Sequence, residues 1–249
     1  MLEINHLSVR YGQKQVLSDI TFTLRPHRLT VLVGKNGAGK STLLGCVNQQ
    51  LPYTGTITEG QEDLSWLAPR ERAKSIAILP QSLPSPHITG REFVSLGRNP
   101  YLDFTGRLTD RDKRAVEEAL RDADALSLGD RYVDTLSGGE KQRIALALIL
   151  SQNTPIALLD EPTAHMDLGY EAAFLDLLRK LKKERKKTFL LILHDLNLAA
   201  EYADDLIVLD GGRLVFAGSR EQCLKQEILE KTFGLKRYTA ENRIFFSAK

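Results

Sequence analysis

Cysteine is nearly absent: Cys46 and Cys223 are the only two in 249 residues, far apart and in no C-x-x-C pattern. That excludes a disulfide framework or a cysteine-built zinc site and fits a reducing cytosol. Charge of one sign is also scarce, since 34 basic residues meet 32 acidic ones for a net charge of +2. Such a balance gives no reason to expect nucleic acid as a partner. Long apolar runs are missing as well. The longest, Ile144–Leu150, falls far short of the ~20 residues that a membrane-spanning helix needs. The start, Met1 to His6, alternates in polarity and has no basic segment followed by an apolar core, so no signal peptide is expected. No internal repeat or low-complexity segment stands out. If the chain works at a membrane, another subunit must hold it there.

What is present is an ordinary globular composition, 42% hydrophobic and 27% charged, long enough for one large α/β domain with an inserted subdomain. The chain is organised around Gly34-Lys35-Asn36-Gly37-Ala38-Gly39-Lys40-Ser41-Thr42, which reads G-x-x-x-x-G-K-S. It follows the apolar run Leu29–Val33 and precedes Leu43-Leu44. Strand, loop and helix in that order are the context of a phosphate-binding loop. The glycines let successive backbone N–H groups line one concavity, and the helix N-terminus adds partial positive charge. Lys40 can reach the β- and γ-phosphates, and the Ser41 hydroxyl can complete a Mg²⁺ shell. The chain is therefore expected to bind a nucleotide.

Before this loop, Leu2–Tyr11 and Val16–Leu24 alternate in polarity and read as two antiparallel strands. After it, a helix to about Gln49 ends at Leu51-Pro52, Thr54–Ile57 begins a strand, Pro69–Lys74 is helical, and Ser75–Leu79 is a strand leading to Gln81. From about residue 82 the pattern becomes helical and charged, with helices at Gly90–Leu96 and Thr109–Ala125, and Asp110–Glu118 reads as a solvated helix face. Ser137 is a natural N-cap for a helix running to about Ser151, and Ile156–Leu159 is a buried strand ending in Asp160-Glu161. A helix over Leu168–Arg185, a strand over Thr188–Leu193, a helix over Leu196–Ala203 and a strand over Leu206–Leu209 imply a parallel sheet with right-handed crossovers. The basic run Arg179–Lys187 reads as a solvated helix C-terminus. The tail Arg237–Phe246 has strand-like patches.

Adjacent acids after an apolar strand complete a Mg²⁺-nucleotide site. Asp160 can hold the metal beside Ser41, and Glu161 can polarise a water for in-line attack on the γ-phosphate. His194 ends the next strand and can reach the same phosphate. Tyr11, 29 residues before Lys40, can stack on a flat base.

The order Tyr11, Gly34–Thr42, Gln81, Leu136-Ser137-Gly138-Gly139-Glu140, Asp160-Glu161, Asp167, His194 resembles the ATP-binding cassette (ABC) ATPases over nearly the whole chain. The resemblance implies a P-loop NTPase (RecA-like) α/β fold, with a parallel-sheet core, an N-terminal antiparallel β subdomain and an inserted helical subdomain. Residues 1–81 and 151–249 would form the nucleotide-binding core, and 82–150 the helical subdomain carrying Leu136–Glu140. The resemblance further implies ATP and Mg²⁺ as cofactors, with Tyr11 stacking adenine, Gln81 contacting Mg²⁺ and the attacking water, and His194 contacting the γ-phosphate. Ser137, Gly138 and Gly139 would bind the γ-phosphate of a nucleotide held by a second copy, so two chains, head to tail, would sandwich two ATP molecules. Leu148 stands where many members carry Arg, which implies a local packing change. Ala164-His165-Met166-Asp167 replaces the commoner Ser-x-Leu-Asp, but Asp167 keeps the dimer-contact role.

The segments Gly97-Arg98-Asn99-Pro100 and Gly106-Arg107-Leu108 resemble the cassettes that power uptake of iron–siderophore complexes, haem and vitamin B12. Those imply a homodimer on the cytoplasmic face of the membrane, two transmembrane permease subunits, and a solute-binding protein on the far side. Importer cassettes for zinc, molybdate or other small solutes, an exporter's ATPase, and a soluble assembly factor acting on ribosomes or DNA are the alternatives.

Overall fold

The computed structural model describes residues 1–164, 166–240 and 243–248. His165 and, in the tail, positions 241, 242 and 249 lie outside the described residues. Two compact units form, Met1–Leu67 with Thr188–Lys249, and Ala68–Lys187.

The first unit opens with β1 (Leu2–Tyr11) and β2 (Lys14–Leu24), antiparallel and joined at Gly12, whose φ of +57° suits glycine. Leu2, Ile4, Leu7 and Val9 are buried opposite Leu24, Phe22, Ile20 and Leu17. Ile4 and Leu7 are three apart, an odd step that would turn one of them outward. A bulge restores the face, with His6 at φ +52° on one strand and Asp19 at φ +54° on the other. β3 (Leu29–Gly34) is buried along its whole length, as a strand covered on both faces must be. It delivers the glycine-rich loop to α1 (Lys40–Val47). The short β4 (Thr54–Glu59) and β5 (Glu62–Asp63) then extend the antiparallel sheet on the β1 side.

The second unit begins with α2 (Pro69–Ser75), proline-started as helices often are, and β6 (Ile76–Leu79). α3 (Gly90–Ser95) runs on into a 3₁₀ helix over Leu96–Tyr101. α4 (Asp110–Asp122) and α5 (Gly138–Ser151) follow. α3, α4 and α5 each start with a capping box, at Thr89/Glu92, Thr109/Asp112 and Ser137/Glu140. They pack on one another around Phe93, Val94, Val116, Leu120, Ile144 and Ala147, all buried. β7 (Ile156–Asp160) pairs parallel with β6, and α6 (Leu168–Glu184) completes the unit. Here two sequence expectations change. α4 is not simply a solvated face, because it buries Asp112 at 4% exposure against Arg98, also 4% exposed. The basic run is not wholly solvated, because Lys187 is buried and donates to the Thr154 carbonyl.

The chain returns to the first unit with β8 (Thr188–Ile192), α7 (Leu196–Tyr202), β9 (Asp205–Asp210) and β10 (Arg213–Ser219). β3 lies parallel between β8 and β9, and β10 is antiparallel on the outer edge of β9. Buried Asp205 ties Arg25 and Arg28 to the start of β9. Helices α8 (Arg220–Lys225) and α9 (Ile228–Phe233) precede a hairpin of β11 (Leu235–Ala240) and β12 (Arg243–Ala248), which packs on α7.

Candidate nucleotide site

β3 ends where side chains no longer fit. A Cβ on Gly34 would lie 2.6 Å from the Leu209 carbonyl oxygen, and one on Gly39 would lie 2.4 Å from Leu17 Cδ2. Gly37 and Gly39 also hold φ of +77° and +97°, which L side chains adopt only with strain. The Ala38 N–H donates to the Lys35 carbonyl at 3.0 Å and closes the turn. Asn36 and Gly37 are exposed, and Ala38 is buried beneath them. α1 then starts at Lys40 with Gly39 as N-cap, no capping side chain and no acid in its first turn. Its orphan N–H groups and positive dipole end are therefore left for an external anion. Lys40 is buried, and its ammonium turns back to donate to the carbonyls of Gly34 (2.7 Å) and Lys35 (3.3 Å). Ser41 is exposed and Thr42 half-buried. In the same unit Tyr11, at the end of β1, is 48% exposed. His194 is exposed just past β8, one residue before the Asp195 cap of α7. Cys46, inside α1, does no chemistry here: burial pushes its thiol up to about 11 and that of Cys223 up to about 12.

The second unit supplies the acids. β6 and β7 pair with Leu79 opposite Leu159, so two residues further on Gln81 and Glu161 leave their strands side by side. The Gln81 amide accordingly donates to the Glu161 carboxylate at 2.7 Å. Glu161 holds a φ of +48°, the left-handed region, while Asp160, one residue earlier, is half-buried at the strand end. Within this unit the Asp160 carboxylate and the Gln81 carbonyl are hard oxygens, the kind a Mg²⁺ ion takes. Because Gln81 spends its nitrogen on Glu161, its oxygen is the atom that suits a metal.

At the head of α5 the Ser137 hydroxyl accepts from the Glu140 N–H (3.4 Å), and the Glu140 carboxylate accepts from the Ser137 N–H (2.8 Å). The backbone and hydroxyl of Ser137, then Arg131, hold Glu140 below the ordinary carboxylate value. Nothing lies within 4 Å of where a Gly138 Cβ would be, so this helix start is open to an approaching anion. A Cβ on Gly139 would meet the Tyr170 ring at 3.2 Å, and Asp167 caps α6 by accepting from the Tyr170 N–H at 3.0 Å. Tyr170 was not foreseen from sequence; the Gly139 requirement is its only trace there.

A family model described as ABC transporter matches residues 17–164. The chain belongs to the ABC transporter family. It is 41% identical over 243 residues to the hemin import ATP-binding protein of Pseudomonas fluorescens, covering 95% of this chain and 93% of that one. It is 36% identical over 232 residues to the ferric enterobactin transport ATP-binding protein of Escherichia coli, covering 92% and 86%. Among solved structures, a metal-chelate type ABC transporter in an inward-facing conformation matches with a TM-score of 0.84 at 25% identity, over 98% of this chain and 95% of that one. The fold is that of the P-loop NTPases, and the protein is an ATP-binding ATPase coupled to transport. Among the described residues no helix is long and apolar enough to cross a membrane.

Proposed function

We propose that this chain is the ATP-hydrolysing subunit of an importer for iron chelates, haem or a corrinoid. It acts as a head-to-tail homodimer on the cytoplasmic face of the membrane, bound to two transmembrane permease subunits and served by a solute-binding protein. The solute class is supported by the relatives, one named for hemin import and one for ferric enterobactin transport. The chemistry is carried by one observation, the Gln81–Glu161 hydrogen bond at a carboxylate that follows directly on Asp160.

In this reading Gly34–Thr42 wraps the phosphates, and Lys40 exchanges the Gly34 carbonyl for the β- and γ-phosphate oxygens. Tyr11 stacks on adenine. Ser41, Asp160 and Gln81 would hold Mg²⁺, which when bound would neutralise phosphate charge. Glu161, aimed by Gln81, takes a proton from the water that attacks the γ-phosphorus. His194 hydrogen-bonds that phosphate from the side of β8. Ser137, Gly138 and Gly139 of the partner copy, kept in shape by Glu140, close on the same phosphate, with Asp167 at the contact.

The test is Glu161→Gln. Hydrolysis by the purified chain should fall by about 10²–10⁴-fold while ATP binding is kept. In cells lacking the native chain, uptake of radio-iron siderophore or haem should return with the wild type but not with this variant. Near-normal turnover by the variant would remove Glu161 from the base role. Undiminished iron-chelate and haem uptake in cells without the chain would overturn the importer reading.

A further inference from the structure

A cavity of about 840 Å³ opens within the unit Ala68–Lys187, between α4, the C-terminal end of α5 and the segment Glu184–Lys187. Ser151 on its wall ends a helix of 14 residues whose other end carries the Ser137–Glu140 motif. At about 1.5 Å per residue that motif is roughly 20 Å away. The cavity is therefore no extension of that motif, and its lining includes none of the site residues described above.

Its lining is markedly cationic. Arg98, Arg111, Arg114, Arg185, Lys186 and Lys187 face only three carboxylates, Glu118, Asp122 and Glu184. The surplus exceeds the +2 of the whole chain, so positive charge is concentrated here. Two of the arginines are committed to structure. Arg98 pairs with Asp112 at 2.9 Å, and Arg185 reaches Glu118 at 2.6 Å and Asp122 at 2.8 Å. Arg111 and Arg114 differ. Both are exposed, they share one face of α4 a turn apart, and neither has an ion-pair partner among the described residues. Like charges at that spacing destabilise a helix unless something bridges them. Deeper in, Lys187 donates to the Thr154 carbonyl, and burial pushes its ammonium down to about 8. A buried cation so placed gains from an anion brought alongside it.

We infer that this cavity binds a small, multiply charged oxyanion of the phosphate class, gripped at the rim by Arg111 and Arg114 and faced from within by Lys187. Guanidinium forks match phosphate oxygens in pairs. The volume lies within the roughly 300–1,000 Å³ of small-molecule sites, which leaves room for a pyrophosphate or a phosphorylated metabolite.

The probe is pyrophosphate, titrated calorimetrically at low salt into the full-length chain. Because the Gly34–Thr42 loop also binds phosphates, the titration is run on Lys40→Ala with and without Arg111→Ser/Arg114→Ser. The Lys40→Ala chain should still bind pyrophosphate, and adding the arginine pair should weaken that binding by at least about tenfold. Arg111→Lys/Arg114→Lys keeps the charge but not the forks and should fall between the two. The arginine pair alone should leave ATP turnover at the wild-type rate. No binding to Lys40→Ala, or binding indifferent to the arginine pair, would overturn the proposal. A lipid headgroup shares the phosphate chemistry, so phosphatidylglycerol vesicles form a second arm. If vesicles bind through Arg111 and Arg114 while pyrophosphate does not, the small-oxyanion reading is overturned.

Discussion

Removing the Arg98 guanidinium should loosen the helical part of the molecule more than any surface change. Arg98 and Asp112 are each 4% exposed. Arg98 donates to Asp112 at 2.9 Å and to the Ser151 carbonyl at 2.7 Å, with its guanidinium 3.9 Å above the centre of the Tyr101 ring. Arg98→Ala strands a buried carboxylate and a carbonyl together, and breaking such a pair from one side costs about 3–5 kcal/mol. In a chain of this length each kcal/mol moves the melting temperature by about 2–4 °C, so a fall of roughly 10 °C is expected. Removing both charges is different, because a buried pair replaced by apolar groups is often neutral. Arg98→Met/Asp112→Leu should therefore recover about 2 kcal/mol relative to the sum of its single changes, while still losing the Asp112 half of the α4 capping box. Acid gives a second readout. Burial pushes Asp112 up, but the hydrogen bonds from Thr109 and then Arg98 outweigh it and leave the group below the usual carboxylate value. Its contribution is thus complete above the unfolded value of about 3.9 and is lost as pH falls through that value toward the lower folded one. Asp112→Asn should flatten this acid limb. Thermal melts from pH 3 to 7 with hydrogen exchange on α4 and α5 measure both effects. An Arg98→Ala melt within about 2 °C of wild type, or additive single changes, would refute the ion-pair account.

Three further outcomes are expected. Tyr11→Phe should bind a fluorescent ATP analogue as the wild type does and Tyr11→Ala more weakly, by about 1–3 kcal/mol if the ring stacks; equal affinities would leave Tyr11 as packing only. Lys40→Ala and Ser137→Arg chains, each inactive, should regain hydrolysis on mixing, because one heterodimer site then combines an intact loop with an intact Ser137–Gly139; no recovery, with wild-type rates independent of concentration, would remove the head-to-tail dimer. Glu161→Gly should be more stable than Glu161→Ala by about 1 kcal/mol, since only glycine relaxes at a φ of +48°, with both inactive; a more stable alanine variant in chemical denaturation would deny the strain.

Elements with strong local signals were legible in the sequence. β1 and β3 alternate or run apolar throughout, and Ser137 with Glu140 three residues on announces the cap of α5. The phosphate loop was readable because its glycines answer local demands of φ and contact. What escaped were pairings that depend on tertiary register. Asp112 looks solvated within a charged stretch, and only the arrival of the 3₁₀ helix at Leu96–Tyr101 buries it. The Gly97-Arg98 dipeptide resembles one group of cassettes, but its physical work is a clasp. A Cβ on Gly97 would lie 2.3 Å from the Leu148 carbonyl, so glycine lets the backbone close on α5 and bring Arg98 to Ser151. The partnership of Gln81 with Glu161 likewise needs the register of β6 on β7, which no local pattern states.

Positive φ alone does not mark chemistry, since His6, Asp19, Gln49 and Asn153 adopt it too, at a bulge or after a helix. At Gly37 and Gly39 the left-handed backbone is filled by glycine, and in the proposed reading the main chain there meets the phosphates, so no side chain is wanted. At Glu161 the same conformation carries a long, charged residue, at a cost of about 1–3 kcal/mol. Glycine would remove that cost, so something other than stability favours the carboxylate. The strand register points to it: Glu161 stands beside Gln81 and directly after Asp160, where the proposed chemistry asks for one oxygen ligand and one proton acceptor. A regular continuation of the strand would send side chains 160 and 161 to opposite faces. The turn at Glu161 breaks that alternation, which is what the proposed pairing of a metal ligand with a proton acceptor at one phosphate asks of two adjacent acids.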